Sequence, residues 1–293
     1  MIFDEATLHK ISRLTLVASQ VRAGLMKGER RSIRRGTSLE FADYRNYTPG
    51  DDLRRLDWNV YARLDRPFMK LFEEQEDLAV HLLVDASRSM DWGEGEAHKF
   101  KYALKLAAAL GAIALASGDR LTACLLHDGQ ARPQFGPSRS QQNTLRLFQF
   151  FEGQEPGGLT DLNRSLRDYA LAPRRPGLMF LISDLFADGG FLAGITQLQR
   201  QGYEVVLVHL LSPEELDPPL AGDLRLLDVE TEADQEVSLD GGMRELYRRR
   251  VLAWRQEIQA TSRKRNIRYL GLSTAQPWER VVLRQMRAEG IVK

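Results

Sequence analysis

Apolar positions along this chain recur in two rhythms, and the rhythms alternate. Residues 78–85, LAVHLLVD, are a short apolar run with β-branched members, the pattern of a strand buried on both faces. Phe100, Ala103, Leu104, Ala107, Gly111, Ala114 and Leu115 then share one helical face, and Ser117-Gly118-Asp119 ends that helix. RLTACLLHD (120–128) is the next strand. Helices are predicted over 138–152 and 161–171, with a Gly157-Gly158 turn between them. GLMFLISD (177–184) is a third strand, 190–201 a helix and YEVVLVHLL (203–211) a fourth strand. LRLLDVET and EVSLD read as a β-hairpin. Met243, Leu246, Tyr247, Val251, Trp254 and Ile258 line a helix, IRYLGLS is a last strand and 277–289 a last helix. Strands alternating with helices predict a doubly wound α/β fold, a mostly parallel sheet with helices on both faces and the first strand central.

The beginning of the chain is patterned differently. Leu8, Ile11, Leu14, Ala18, Val21 and Leu25 fall at helical spacing and predict an amphipathic helix over 4–26, with Asp4 as N-cap. A basic, polar connector follows, KGERRSIRRGTS. Residues 40–77 then mix aromatics, arginines and acids around a Pro49-Gly50 turn. A solvated loop has no use for Phe41, Tyr44, Tyr47, Trp58 and Tyr61, whereas a packed region held by Arg–Asp pairs does. The expected division is an N-terminal helix and extension over 1–75, packed on an α/β domain over 76–293. Arg45, Asp51, Asp52, Arg55, Asp57 and Trp58 are candidates for a partner contact, with a structural brace as the competing role.

Composition narrows the class of function. The 293 residues are 43% hydrophobic and 28% charged, ordinary values for a globular chain. Lys+Arg is 41 and Asp+Glu 40, a net charge of +1. No whole-chain field therefore argues for nucleic acid or a membrane surface. Cys124 is the single cysteine, so no internal disulfide forms, and a reducing compartment is implied. Asp4 and Glu5 interrupt any signal-peptide pattern, and no run reaches the ~18–20 apolar residues of a membrane span. A cytoplasmic protein without an integral membrane segment is expected.

Sites in open parallel sheets form beyond the C-terminal ends of strands, at the switch in strand order. Asp85-Ala86-Ser87-Arg88-Ser89 follows the first strand, Thr160 follows the Gly157-Gly158 turn, and Ser183-Asp184 ends the third strand. The alternate spacing of Asp85, Ser87 and Ser89 lets one extended turn aim three oxygens at one point. Carboxylate and hydroxyl oxygens suit a hard cation, Mg2+ above all, with Mn2+ or Ca2+ as alternatives. Two neutral hydroxyls leave residual positive charge on such an ion to attract an acidic group. Singly, Ser87 and Ser89 fit a plain loop, Thr160 or Asp161 a helix N-cap, and Asp184 a helix start.

Together, Asp85, Ser87, Ser89, Thr160 and Asp184 resemble the metal-ion-dependent adhesion site of von Willebrand factor A domains. The stretches Gly36–Arg45, Tyr47–Asp52 and Arg55–Trp58, continued by Ala62-Arg63 and Lys70–Glu74, are similar to the signature of one prokaryotic family of that kind, the "domain of unknown function 58" family. The likeness spans about residues 24–290. It implies a non-enzymatic, metal-dependent protein-interaction module, an adaptor for a MoxR-type AAA+ ATPase or its client. Many relatives carry N-terminal membrane helices, and none is expected here.

Two other readings compete. A metal-dependent phosphate-ester hydrolase needs a general base or second metal near Asp85, and the sequence offers neither. A nucleic-acid or membrane-surface binder would use the basic cluster Lys27, Arg30, Arg31, Arg34 and Arg35, which reads more simply as a solvated connector. Histidines at 9, 81, 98, 127 and 209 lack zinc-ligand spacing, and no Walker A or G-x-S-x-G motif occurs.

Overall fold

The computed structural model describes residues 3–18, 39–48, 51–53, 56–74, 77–219, 222–227, 234–239 and 241–293. The basic connector of 27–38, with its arginines, lies outside the described residues, as do Val21 and Leu25 of the predicted first helix. In chain order the elements are α1 (Glu5–Ile11), β1 (Leu39–Asn46), α2 (Trp58–Leu64), β2 (Phe68–Glu74), β3 (Ala79–Asp85), α3 (Lys99–Ala116), β4 (Arg120–His127) and β5 (Gln130–Ser138). There follow α4 (Thr144–Glu152), α5 (Leu162–Leu171), β6 (Leu178–Ser183), α6 (Leu192–Arg200), β7 (Glu204–Leu211) and α7 (Pro213–Leu216). The chain closes with β8 (Gly222–Leu227), β9 (Asp234–Leu239), α8 (Gly241–Lys264), β10 (Arg268–Ser273) and a helical segment over 278–288 with a π-helical turn at Val281–Gln285.

Six strands form one sheet in the order β10-β7-β6-β3-β4-β5. Every pairing is parallel except β4 with β5. β3 is internal, as the sequence predicts. The chain moves outward from β3 to β4 and β5 on one side, and through β6, β7 and β10 on the other. The switch in strand order therefore lies between β3 and β6.

All seven residues of β3 are buried, and their side chains divide between two cores by the period of two. Val80, Leu82 and Val84 join the core beneath α1, α3, α4 and the 278–292 segment, while Leu83 joins the core beneath α5 and α6. β6 divides the same way, Phe180 and Ile182 against Met179 and Leu181. Cys124 of β4 belongs to the second core and is fully buried. α3 is crowded with small residues, Ala103, Ala107, Ala108, Ala109, Ala112 and Ala114, all buried. At Gly111 a Cβ would meet Leu147 Cδ2 at 2.5 Å, so glycine is what lets α3 approach α4 and the sheet this closely.

Two predictions are corrected. The helix expected over 4–26 stops at Ile11, although Asp4 does cap it, accepting from the Thr7 N–H at 3.0 Å. Residues 14–18 run extended instead: Leu14, Leu16 and Ala18 are buried at alternate positions. Thr15 and Lys293 exchange backbone hydrogen bonds, and the Val17 N–H donates to the Ile291 carbonyl. A period of two and β-branched residues prevailed over a helical spacing that shares some of the same positions. The second correction is β5, which has no counterpart in the sequence reading. Its Pro133, Gly136 and Pro137 look like a loop, yet proline is tolerated where a strand edge faces solvent.

By contacts the chain divides into two compact units, Met1–Gly24 with Leu78–Lys293, and Leu25–Asp77. In the second unit β1 and β2 pair antiparallel, with an irregularity between Phe41 and Asp43. Asp57 caps α2, accepting from the N–H groups of Asn59 and Val60.

Candidate functional site

The ends of β3 and β6 lie side by side at the switch point, and both deliver an acid. Asp85 and Asp184 are fully buried. Asp85 Oδ1 accepts from the Ser87 N–H at 3.0 Å and from Ser87 Oγ at 2.6 Å, and Ser87 Oγ lies 3.2 Å from Ser89 Oγ. The alternate spacing thus gathers all three side chains, as the sequence predicts. Asp85 Oδ2 accepts from Ser183 Oγ at 2.5 Å, a bond set by the two strands' common face.

The Gly157-Gly158 loop is clasped to this turn. The Gly157 N–H donates to the Ala86 carbonyl at 2.7 Å, and the Arg88 N–H to the Gly158 carbonyl at 3.1 Å. From the other side Asp128 Oδ1 accepts from the Leu159 N–H at 2.8 Å. Gly158 has φ +77°, and a Cβ there would meet the Asp128 carboxylate at 2.5 Å. Thr160 follows on this fixed backbone, while Asp161, not Thr160, caps α5 through the Arg164 N–H.

Sequence reasoning missed Lys99. At the first turn of α3 its ammonium is wholly buried, donating to Asp184 Oδ2 at 2.7 Å and to Glu215 Oε1 at 2.6 Å. Glu215 in turn forms a capping box with Ser212. Asp184 Oδ1 accepts from the Phe186 N–H at 3.1 Å. Lys99 sits among ordinary helix residues, so no local pattern marked it; its neighbours come from 85 and 116 positions away.

Burial and the adjacent Asp184 carboxylate push Asp85 up to about 6, against the pull of its hydroxyl and N–H donors. Glu215 is raised by burial, against the pull of Lys99. With all groups ionised, Asp85, Asp184 and Glu215 give −3 against +1 from Lys99, so the cluster carries −2. Among the described residues no group of three His, Cys, Asp or Glu is arranged to hold a metal. The predicted set contains only two carboxylates, and its other members are hydroxyls. That charge deficit and all-oxygen donor set fit one hard divalent cation.

The three loops also share an apolar feature. Trp92 after Ser89, Leu159 before Thr160 and Phe186 after Asp184 are 45%, 55% and 42% exposed. Phe186 is held in place by stacking on Trp254, with ring centroids 5.4 Å apart.

The candidate partner contacts of the smaller unit are mostly internally engaged. Arg45 makes a two-pronged pair with Asp51 at 2.7 and 2.6 Å, and Asp51 also accepts from Thr48. Asp57 caps α2 and accepts from the Tyr44 hydroxyl at 2.9 Å. Asp52 is exposed, and Arg55 lies outside the described residues. Trp58 is 60% exposed and touches Tyr61 edge-on.

The sequence profile of a family described as "Protein of unknown function DUF58" matches residues 43–257. The chain belongs to this DUF58 family. An uncharacterised protein of Mycobacterium tuberculosis is 29% identical over 280 residues, covering 94% of this chain and 88% of its own, and one from Mycobacterium bovis is similar to the same degree. Among solved structures, the DUF58 chain is similar to the conserved hypothetical protein BatB from Bacteroides thetaiotaomicron. That match has 12% identity and a TM-score of 0.45, covering 73% of this chain and 98% of the other. A von Willebrand factor type A protein from Catenulispora acidiphila gives 15% identity and a TM-score of 0.34, covering 49% and 35%. An aerotolerance-related membrane protein from Bacteroides fragilis gives 14% identity and 0.44, covering 72% and 99%. Among the described residues of this DUF58 protein, no helix is long and apolar enough to cross a membrane.

Proposed function

We propose that this DUF58 protein is a metal-dependent protein-interaction module without catalytic turnover. Asp85, Ser87, Ser89, Thr160 and Asp184 hold Mg2+, directly or through water, and the ion's remaining position takes a carboxylate from a partner. The observation that carries this reading is the gathering of Asp85, Asp184 and Glu215 about the one buried ammonium of Lys99, with an apolar rim on the same three loops. A divalent ion offsets the excess of carboxylates over cations, and Trp92, Leu159 and Phe186 supply the large, exposed contacts that protein interfaces favour. By family resemblance, the partner is a MoxR-type AAA+ ATPase or its client, and the setting is the cytoplasm, which a single cysteine suits.

Calorimetry with Mg2+ on wild type and Asp85→Ala tests the metal. The wild type should bind one ion and the variant none; equal binding by both would make Asp85 purely structural. A purified MoxR-type ATPase should bind the wild type in Mg2+ and release it in EDTA. Asp85-dependent hydrolysis of a phosphate ester by the highly purified chain would favour the hydrolase reading instead.

A further inference from the structure

A cavity with arginines in its lining lies on the same face of the sheet as Asp85, toward the opposite strand ends. His81 precedes Asp85 on β3 by four residues, ~13 Å at 3.3 Å per residue. The cavity has a volume of about 300 Å3 and is lined by His81, Arg120, Thr122, Gln134 and the α5–β6 loop, Ala172-Pro173-Arg174-Arg175, with Pro137 at its wall. Three of its lining residues are arginines and none is acidic. Among the described residues, no carboxylate is ion-paired with Arg120, Arg174 or Arg175.

The loop that carries two of these arginines is fixed in advance. His81 Nε2 donates to the Arg175 carbonyl at 3.0 Å, which leaves Nδ1 to accept from the Tyr169 hydroxyl at 2.7 Å. Arg174 lies over the Tyr169 ring at 4.1 Å, donates to the Tyr169 carbonyl at 2.6 Å and donates to Gln134 Oε1 at 2.6 Å. Both acceptors are neutral, so the charge of Arg174 is not cancelled. Of its five N–H groups, three remain for a ligand. Three arginines lining one cavity without an acidic residue among its walls favour an anion. Guanidinium forks match tetrahedral oxyanions, and three of them exceed the demand of a single carboxylate. The cavity is larger than one phosphate and has an apolar wall at Pro137, Ala172 and Pro173.

We propose that this cavity binds the phosphate group of a small phosphomonoester, with Arg120, Arg174 and Arg175 as its anion clamp. The site shares no residue with the Asp85 cluster and stands independently of the metal reading.

Titration of the full chain with inorganic phosphate in metal-free buffer, read by calorimetry, tests it. Phosphate should bind the wild type, and chloride at matched ionic strength should not reproduce the effect. The double variant Arg120→Gln with Arg175→Gln removes two exposed guanidiniums and leaves Arg174 and its packing in place. It should bind phosphate about tenfold more weakly or worse. Arg250→Gln, an exposed arginine elsewhere, should bind it like the wild type. Glycerol 3-phosphate should bind at least as tightly as inorganic phosphate. Unchanged phosphate affinity in the double variant, equal response to chloride, or exclusion of glycerol 3-phosphate would each overturn the proposal.

Discussion

Lys99 exposes no surface to solvent, and its ammonium is shared by Asp184 and Glu215. Burying that charge is tolerable only because both partners are present. Lys99→Met should therefore strand Asp184 and Glu215 and destabilise the protein by about 3–5 kcal/mol, measured by urea unfolding. Such a variant should also regain more stability from added Mg2+ than the wild type gains, because its cluster carries −3. His81 gives a pH dependence of known sign. Burial holds it down to about 4 in the native state, against an ordinary value of 6.5. Between those values the unfolded chain binds a proton that the native protein refuses, so the His81 contribution to stability falls as pH falls from about 6.5 to about 4. The difference between wild type and His81→Gln, followed by urea unfolding across that range, should show this slope. A flat difference would mean that His81 is charged in the native protein. Asp85, Ser87 and Ser89 were legible in the sequence because their interplay is local. Lys99, Glu215 and Asp128 were not, since each acts on a residue that only the tertiary fold brings near.

Among elements, the buried strands were the easiest to read. β3, β6 and β7 are continuous apolar runs that only a sheet covered on both faces can bury. β5 was unreadable because proline and glycine carry a loop signal, and its pairing with β4 is a tertiary fact. The early helix was over-read, since Leu8, Ile11, Leu14 and Ala18 satisfy a helical spacing while Leu14, Leu16 and Ala18 also satisfy a strand's. The 157–160 loop shows why its glycines precede a threonine. Gly158 takes a left-handed backbone against the Asp128 carboxylate, a place without room for a Cβ. Gly158→Ala should cost about 1–2 kcal/mol from the backbone alone. It should also shift the loop that carries Thr160. Metal affinity should then fall together with stability, and calorimetry beside urea unfolding reads both. Gly157→Ala, where a Cβ meets nothing within 4 Å, is the matched control.

For the molecule as a whole, the sheet unit draws on both ends of the described chain: Phe3 packs edge-on against Phe148, and Thr15 and Val17 pair with Lys293 and Ile291. The same unit holds its one thiol at the centre. Cys124 sits in β4 beside the switch strand, with no exposed surface, and burial pushes its thiol up to about 12. A disulfide reagent therefore cannot reach it, nor find a thiolate, until β4 parts from its neighbours. The labelling rate of this single sulfur is thus a clock for the opening of the sheet, requiring no engineered probe. Mg2+ and phosphate, bound near opposite ends of β3, should each slow that clock, and each should lose its effect in its own variant alone.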